Sequence, residues 1–377
     1  MLLEPMGAAA LAIWIYLLLG RGGFWRLRDA PPAGALPAVA PAVVAVIPAR
    51  NEAPVVARAV DSLAHQRYSG EFHIVLVDDD SADGTSGAAR RAAPAGLLDV
   101  VRAGPLPPGW TGKLWAASEG IRDARRFPAE YLLLTDADIV HPPENLSALV
   151  ARAASGGYDM VSFMATLECR SFAERALIPA FVFFFFMLYP PAWISSVRHK
   201  TAAAAGGCIL IRRRMLERLG GMVVIRGQVI DDCALARAVR RQGGRVWLGL
   251  SAATRSVRGY ATWGELARMI SRTAFAQLHH SLWLLIGTVL GLALTYLVPP
   301  VLALATRGPA AALGAAAWLS MSIAYFPALR FYRRSPLWAP LLPAIAAFYL
   351  AATIHSAVCY WRGAGGMWKG RAQDRAR

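Results

Sequence analysis

Three uncharged apolar segments occupy the C-terminal part of the chain, at residues 282–305, 309–328 and 337–360. Each is long enough for an α-helix to cross a bilayer, which takes about 20 apolar residues. Charged residues make up only 17% of the chain, whereas about a quarter is usual for a soluble protein. Together with a mean hydropathy of +0.39, these segments predict a multi-pass membrane protein with residues 276–377 forming C-terminal membrane helices and a basic tail.

A shorter apolar run, residues 6–20, is followed by Arg21, Arg26 and Arg28. A secretory signal peptide carries its positive charge before the apolar run, whereas here the positive charge follows it. We therefore predict an N-terminal transmembrane anchor whose carboxyl side faces the cytosol, by the positive-inside rule. A cleaved signal remains the alternative. A linker rich in proline and alanine follows, so residues 1–41 are predicted to be anchor and linker.

The net charge of +16 is compatible with binding either nucleic acid or an anionic membrane surface. The basic residues flank apolar runs, as Arg330, Arg333 and Arg334 do, which favours the membrane; no nucleic-acid partner is expected. The four cysteines form no CxxC pair, so a zinc site is not expected. The predicted location is the inner (cytoplasmic) membrane, with the catalytic domain in the cytosol.

Residues 42–275 have the pattern of a soluble α/β domain. Apolar strands are predicted at 43–48, 72–80 and 130–138. Helical stretches are predicted near 53–66 and after Asp231 and Asp232, the latter running to about Gln242. Apolar strands that alternate with helices indicate a mostly parallel sheet flanked by helices. Ligands of such sheets bind at the carboxyl ends of the strands, and the carboxylates of this chain follow those ends.

An uncharged segment at residues 176–197 interrupts this domain. A crossing there would put Asp136 and Asp232 on opposite sides of the bilayer, so we expect the segment to dip into the membrane or lie along its interface. A buried core helix is the alternative. The C-terminal segments raise a second conflict, because three crossings would leave the basic tail outside. Either one segment is not a crossing, or the tail departs from the positive-inside rule.

The sequence TDAD at 135–138 places two carboxylates two residues apart after a buried strand. Side chains at that spacing on extended backbone face the same way, so Asp136 and Asp138 can bind one hard cation. We predict Mg²⁺ or Mn²⁺, which takes only one or two carboxylates from protein and fills its other positions with phosphate and water. Asp136 is also predicted to lie beside this phosphate-bearing ligand, the donor of the group that is transferred. The alternative is a turn or helix cap.

Two further strand ends carry candidate donor contacts. Asp79, in the run DDDSADGT, is predicted to accept hydrogen bonds from a nucleobase or ribose, while Pro48 and Glu52, in PARNE, lie at the end of the first strand. Glu52 is predicted to hold ribose or base, or else to be an acidic residue favoured by the helix dipole. Lys113, in GWTGKLWAASEG, is predicted to contact the donor diphosphate or ribose, with a solvated lysine as the alternative.

The acceptor side is predicted from VIDDCALARAVRRQGG and GGCILIRR. Sugar transfer with inversion needs a base for the acceptor hydroxyl, and we assign that role to Asp232, with Asp231 beside it. A helix cap is the alternative. Gly206 and Gly207 allow the backbone to approach a ligand closely. We expect Asp79, Asp138 and Asp232 to meet in one pocket.

These motifs, in this order over about residues 42–250, resemble family 2 glycosyltransferases, in particular a hopanoid-biosynthesis-associated branch and, more distantly, ceramide glucosyltransferases. The resemblance implies a GT-A fold, inversion, and a nucleotide-diphosphate sugar donor, with a UDP-sugar favoured. It also implies nucleoside contact by Asp79, metal binding by Asp136 and Asp138, and Asp232 as base.

Some positions depart from the family pattern. Asp80 stands where glycine is usual and Asp231 where glutamate is usual; of the Gln-x-x-Arg-Trp motif of processive members only Arg272 matches. Transfer of a single sugar to a membrane lipid is therefore favoured over polymer synthesis. The resemblance implies a hopanoid as the candidate lipid. The alternative is a catalytically inactive, nucleotide-sugar-binding membrane scaffold or sensor. A transporter is disfavoured because the C-terminal segments carry few polar groups at bilayer depth.

Overall fold

A computed structural model of the chain describes residues 2–368 and 371–374. It combines an eight-stranded α/β domain with a set of apolar helices. The strands are β1 Val43–Ala49, β2 Phe72–Asp78, β3 Leu98–Arg102, β4 Tyr131–Thr135, β5 Ile139–Val140, β6 Met160–Thr166, β7 Cys208–Arg212, β8 Val246–Ser256, β9 Gly365–Trp368 and β10 Arg371–Asp374.

The described α-helices begin before the sheet and continue to the C-terminal part. They are α1 Leu3–Leu19, α2 Ala53–Ala64, α3 Thr85–Arg91, α4 Gly112–Asp123, α5 Asn145–Gly156, α6 Phe172–Leu188, α7 Pro191–Ile194, α8 Arg213–Arg218, α9 Asp231–Arg241, α10 Trp263–Gln277, α11 Leu282–Leu292, α12 Val298–Ala305, α13 Gly308–Phe331 and α14 Leu342–Trp361. A π-helical turn, Ala293–Leu297, joins α11 to α12, and 3₁₀ turns lie at Ala124–Arg126, Gly221–Ile225 and Pro336–Leu341.

The large sheet has the strand order β3-β2-β1-β4-β7-β6-β8-β5. Strands β3, β2, β1 and β4 are parallel, as the alternation of apolar strands and helices predicts. In the other half, β7 runs antiparallel to both β4 and β6, while β6 and β8 are parallel. The fold is therefore a GT-A-like mixed α/β sheet flanked by helices, with its first half purely parallel.

Both faces of the sheet are covered, so its central strands are buried along nearly their whole length. On β1, Val44 and Val46 belong to the core shared with α4 and α9, whereas Val43 and Ile47 belong to the core shared with α2 and α5. Alternate residues of a strand point to opposite faces, which explains why this strand is a continuous apolar run. A covered sheet leaves only its edges and strand ends for ligands.

Strand β5 fixes the geometry at the carboxyl end of β4. It follows Asp138 directly and pairs antiparallel with the end of β8, with Ile139 opposite Ser256. The backbone N–H of Val257 also donates to the carbonyl of Asp138 at 2.8 Å. The residues that follow β8 are thereby held against the TDAD segment, although about 120 residues separate the two in sequence.

Among the described residues, four helical segments are long and apolar enough to cross a membrane. They are Phe172–Ile194, Leu282–Ala305, Gly308–Phe331 and Pro336–Trp361, and Leu3–Leu19 is a shorter apolar helix. The predicted apolar segments of the sequence thus all form helices. The basic tail residues Lys369, Arg375 and Arg377 lie outside the described residues.

The segment Phe172–Ile194 cannot be a single crossing. It connects β6 to β7, and these two strands hydrogen-bond to each other in one sheet, with Met160 opposite Ile211. A bilayer between its ends would separate paired strands. The segment also packs into the protein: Phe183 is fully buried and its ring lies 5.5 Å from that of Tyr325 in α13. The geometry supports a segment that leaves from and returns to one side.

The N-terminal helix packs against the C-terminal helices. The indole N–H of Trp14 donates to the carbonyl of Thr295 at 2.9 Å, and its ring meets that of Tyr296 edge-on at 5.4 Å. Gly7 allows close approach, since a Cβ at this position would lie 3.0 Å from Cβ of Leu313. Helices α1, α11, α12 and α13 therefore form one bundle, with the sheet domain beyond the carboxyl end of α1.

Candidate active site

A cleft of about 400 Å³ opens at the carboxyl ends of the central strands. It lies between the sheet, the start of α9 and the apolar helices α6 and α10. Residues from all of the predicted motifs except DDDSADGT line it. The lining includes Pro48, Glu52, Lys113, Asp136, Asp138, Gly206, Gly207, Asp231, Asp232 and Arg272, and also Thr111, Phe181, Phe185, Ser256, Arg258, Tyr260 and Met269.

The TDAD carboxylates follow β4 and face this cleft. Asp136 Oδ1 lies 2.9 Å from Nζ of Lys113. Asp138 Oδ2 accepts a hydrogen bond from the hydroxyl of Ser256 at 2.8 Å and lies 3.2 Å from Nε of Arg258. Burial, opposed by Lys113 and reinforced by Asp138, raises the pKa of Asp136 above its usual value. Each carboxylate uses one oxygen in these contacts, so its second oxygen remains for a ligand.

Lys113 links the TDAD motif to the start of α9. It is the second residue of α4, whose first turn is capped by the hydroxyl of Thr111. Besides Asp136, its Nζ contacts Asp231 Oδ2 at 3.2 Å. Burial alone would lower the pKa of Lys113, but the charges of Asp136 and Asp231 outweigh it and raise the pKa. The ammonium is therefore charged and neutralises part of an acidic cluster.

Asp232, the predicted base, is the second residue of α9, and backbone N–H groups hold its carboxylate in place. Oδ2 accepts from the N–H of Gly206 at 2.8 Å, and Oδ1 accepts from the N–H of Cys233 at 2.7 Å. Burial, together with the charge of Asp231, raises the pKa of Asp232 to about 6, against the opposing effect of Lys113. A carboxylate with such a pKa is a stronger base than an ordinary aspartate.

The two glycines before β7 provide the wall behind Asp232. A Cβ at Gly206 would lie 3.4 Å from both Asp232 Oδ2 and Lys113 Nζ. A Cβ at Gly207 would lie 2.9 Å from the side chain of Ile139. Glycine is thus needed at position 207 for close packing, while Gly206 brings a backbone donor to the base.

Arg258 is the main residue of the cleft that the sequence analysis missed. Its Nη2 donates to both oxygens of Glu52, at 2.7 and 2.6 Å, and its Nε faces Asp138. Arg258 is the second residue after β8. It belongs to no motif that would indicate a role in binding or catalysis. Only the pairing of β5 with β8 brings it to the TDAD motif.

The predicted nucleoside-side residues lie at the ends of β1 and β2. Pro48 and Glu52 line the cleft. Asp79 does not belong to the lining in the described part of the chain; it is buried, its N–H donates to the carbonyl of Ala49, and its carboxylate lies 3.6 Å from Nη1 of Arg50. Asp138 and Asp232 thus share one cleft as predicted, whereas Asp79 lies behind its edge and its contact with a donor stays a prediction.

The opposite wall of the cleft comes from the apolar helices. Phe181 and Phe185 on α6 and Met269 on α10 line it, and Arg272, one turn after Met269, is the basic residue of this wall. Tyr260, before α10, completes it. The predicted acceptor-side residues Gly206, Asp231 and Arg272 are therefore gathered where the catalytic domain meets the apolar helices.

The oxygen ligands at TDAD suit a divalent cation whose coordination shell is completed by oxygens of a bound substrate. In the described chain no group of three His, Cys, Asp or Glu side chains could hold a metal. His141, directly after β5, is buried, its two ring nitrogens are engaged by Thr135 and Asn145, and it does not line the cleft. Two carboxylates with free oxygens remain, and Mg²⁺ needs no more when phosphate oxygens complete its shell.

Comparisons with known proteins agree with this geometry. Residues 44–220 match glycosyl transferase family 2, a range that contains β1 to β7 together with Glu52, Lys113, Asp136 and Asp138. Asp232, Arg258 and Arg272 lie beyond the matched range, so their place in the site rests on the structure alone. No match was found among curated proteins.

A solved structure resembles both the sheet domain and the attached helices in fold. The mannosyltransferase PcManGT from Pyrobaculum calidifontis, in complex with GDP-Man and Mn²⁺, aligns with a TM-score of 0.60 at 21% identity, over 94% of this chain and 98% of that chain. Glucosyl-3-phosphoglycerate synthase from Mycobacterium tuberculosis, in complex with Mg²⁺ and UDP, aligns with a TM-score of only 0.42 at 17% identity, over 63% of this chain and 79% of that chain. The first alignment supports a common fold that includes the helices.

Proposed function

We propose that the protein is an inverting glycosyltransferase. It transfers a single sugar from a nucleotide-diphosphate sugar, with a UDP-sugar favoured, to a hydroxyl group of a membrane lipid at the cytosolic face of the inner membrane. The observation that carries the proposal is one cleft that contains Asp136, Asp138 and Asp232 and is closed by apolar residues of α6 and α10. A hopanoid acceptor rests on the sequence resemblance alone.

The chemistry that we propose for Asp232 is proton transfer. Its carboxylate takes the proton of the acceptor hydroxyl while that oxygen attacks the anomeric carbon of the sugar. The bond between this carbon and the diphosphate oxygen breaks, and its electron pair leaves with the diphosphate. A base positioned in this way contributes roughly 10²–10⁴-fold to the rate, and a pKa of about 6 leaves the carboxylate ionised at neutral pH.

Asp136 and Asp138 would hold a Mg²⁺ or Mn²⁺ ion. Such an ion, when bound, neutralises charge that develops on the leaving diphosphate. PcManGT was crystallised with Mn²⁺ and GDP-Man, which supports a divalent metal and leaves the donor nucleotide of this chain open to either base. Lys113, between Asp136 and Asp231, keeps the carboxylates of the metal side and of the base side from repelling each other.

The apolar wall supports a lipid as the acceptor. Phe181, Phe185 and Met269 face the same cleft as the base, and the helices that carry them continue into segments apolar enough for a membrane. A lipid hydroxyl could reach Asp232 from the membrane side while the nucleotide sugar enters from the sheet side.

The test is to incubate membranes that contain the protein with a panel of labelled nucleotide sugars and to identify the labelled lipid by mass spectrometry. We expect one lipid to gain one sugar, and Asp232→Asn to abolish this product while the variant still binds the donor. Arg125→Ala, on the exposed surface of the catalytic domain, is the control and should retain full transfer.

Three outcomes would contradict the proposal. Donor binding without transfer or hydrolysis, for every donor in the panel, would favour the inactive scaffold or sensor. Transfer of many sugars in succession to one acceptor would contradict the single transfer that we infer from the incomplete Gln-x-x-Arg-Trp motif around Arg272. Unchanged transfer by Asp232→Asn would remove the assigned base.

A further inference from the structure

Glu52 is engaged by the protein itself in the position where a ribose or base contact was predicted. Both of its carboxylate oxygens accept from Nη2 of Arg258, and its side chain is only 10% exposed. A buried carboxylate is costly unless it is paired and hydrogen-bonded. The pair therefore explains why an acidic residue is stable at this strand end without any ligand.

The same guanidinium is fixed from a second direction. Its Nε lies 3.2 Å from Asp138 Oδ2, which also accepts from Ser256. Glu52 and Asp138 come from different strand ends, so the plane of the guanidinium is held between two elements of the sheet. Burial would lower the pKa of Arg258, but Asp138 and Glu52 outweigh it and raise the pKa, so the charge is permanent.

These contacts use Nε and Nη2, which leaves Nη1 of Arg258 for a ligand in the cleft. The side chain is 32% exposed and lines the cleft beside Asp136 and Asp138. A guanidinium carries five N–H donors in a rigid plane and matches the geometry of phosphate oxygens. Arg258 therefore lines the same cleft as the metal carboxylates, within which a diphosphate next to the metal would sit.

We propose that Arg258 is a diphosphate-binding residue for the nucleotide-sugar donor, and that Glu52 is a positioning residue which holds Arg258 rather than a contact for the nucleoside. This inference rests on the proposed function, because it assigns the donor's diphosphate to the same cleft. Breaking the sugar–phosphate bond adds one negative charge to the diphosphate. A guanidinium already fixed in place stabilises this charge without reorganising.

The experiment is equilibrium binding, measured by calorimetry on the full-length protein in detergent. The probes are UDP and GDP, with uridine and guanosine as phosphate-free partners, each in Mn²⁺ and again in EDTA. The variants are Arg258→Ala, Arg258→Lys, Glu52→Gln and the double variant Glu52→Gln/Arg258→Ala. Arg255→Ala is the matched control, because Arg255 is an exposed arginine three residues earlier at the end of β8.

We expect Arg258→Ala to weaken binding of the nucleoside diphosphate about ten- to hundredfold, the range for a hydrogen bond to a charged group. The loss should persist in EDTA, and nucleoside binding should not change. Glu52→Gln should cause a smaller loss for the diphosphate, and the double variant should bind no more weakly than Arg258→Ala, since Glu52 acts through Arg258. Arg255→Ala should bind like the unmodified protein.

Other results would overturn the inference. Unchanged diphosphate binding by Arg258→Ala, or a loss that appears only with Mn²⁺, would mean that Arg258 does not contact the diphosphate. A loss of uridine or guanosine binding in Glu52→Gln would make Glu52 a nucleoside contact. If Arg258→Ala does not fold, Arg258→Lys is the deciding variant, because lysine keeps the charge but lacks the planar guanidinium. We expect it to bind the diphosphate with intermediate affinity. Unchanged affinity would contradict the inference. Failure of the unmodified protein to bind either diphosphate would instead refute the proposed function.

Discussion

The charges in the cleft are arranged in two groups with a cation in each. Lys113 lies between Asp136 and Asp231, and Arg258 lies between Glu52 and Asp138. Asp232 is not ion-paired in this arrangement; it is held by backbone N–H groups. This difference separates the residue that must change its protonation during the reaction from those that must keep their charge.

The pH dependence of transfer should report Asp232. Its pKa is raised to about 6 by burial and by Asp231, and only the ionised carboxylate can accept a proton. We therefore expect the rate of transfer to be constant at neutral pH and to fall as the pH decreases through about 6. Asp232→Asn should lower the rate roughly 10²–10⁴-fold. Initial rates between pH 5 and 8 test this, and a rate that is still maximal at pH 5 would contradict it.

Lys113 influences the pH at which the rate of transfer decreases. Its positive charge lowers the pKa of Asp232 against the stronger effect of burial. Lys113→Met keeps the length of the side chain and removes the charge, so the fall in rate should move to higher pH. Lys113→Arg, which keeps the charge, is the control and should leave the midpoint nearly unchanged. The two pH profiles are compared directly, and coincident midpoints for Lys113→Met and the unmodified protein would refute the prediction.

At the scale of elements, the apolar helix α6 depends on one buried glutamate. Glu174 forms a capping box with Ser171, and its carboxylate also accepts from the backbone N–H of Arg170 and of Tyr260. Although burial would raise the pKa of Glu174, these backbone hydrogen bonds lower it. One side chain thus ties the start of α6 to the segment that leads into α10, so the two helices of the acceptor wall are positioned together.

Removing that carboxylate should destabilise the protein. Glu174→Ala leaves the partly buried backbone N–H groups of Arg170, Ser171 and Tyr260 without their acceptor. We expect a loss of about 2–3 kcal/mol in the free energy of unfolding. The matched control is Glu265→Ala, because Glu265 forms the second capping box, with Thr262, in a more exposed place. Its loss should be roughly 1 kcal/mol or less. Thermal unfolding of both variants in the same detergent compares them, and equal effects would contradict the prediction.

The sequence predicts the elements well where local pattern determines them. The apolar runs at 43–48 and 130–138 contain β1 and β4, since both faces of the sheet are covered. Strand β4 ends at Thr135, however, so Asp136 and Asp138 lie in the loop and turn that follow it rather than on the extended backbone that their spacing predicted. They share a cleft with Asp232, which comes from the start of α9. Arg258 could not be found in this way. Its partners are set by the pairing of β5 with β8, and the antiparallel entry of β7 likewise depends on tertiary contacts rather than on any local pattern.

At the scale of the whole molecule, the helices explain the topological conflict of three apolar segments and a basic tail. Helix α14 lies beside α10 and runs in the same direction. Trp263 contacts Phe348 at 5.6 Å between ring centroids, and Phe275 contacts Tyr360 at 5.5 Å. Helix α10 lines the cleft, so we propose that α14, which accompanies it over this length, lies on the same side of the membrane as the cleft.

Contacts at the end of α14 support the same position for this helix. The ring of Tyr360 stacks on that of His280 at 4.1 Å, and His280 lies just before α11, where the chain leaves the catalytic domain for the first C-terminal apolar segment. We therefore propose that the chain crosses outward through α11 and α12, returns through α13, and does not cross again in α14. Arg362, directly after α14, would then lie on the same side as Arg21, in agreement with the positive-inside rule.

This topology predicts which residues a membrane-impermeant maleimide can reach in oriented vesicles. The background is a chain whose Cys169 and Cys359 are replaced by serine. Single cysteines are then introduced at three exposed positions: Arg125→Cys in the catalytic domain, Arg307→Cys between α12 and α13, and Arg362→Cys after α14. We expect positions 125 and 362 to be labelled in inside-out vesicles and position 307 in right-side-out vesicles. If position 362 is labelled together with position 307, α14 crosses the membrane and the tail lies outside. The remaining thiols of Cys208 and Cys233 are buried, so labelling would report the introduced cysteine alone.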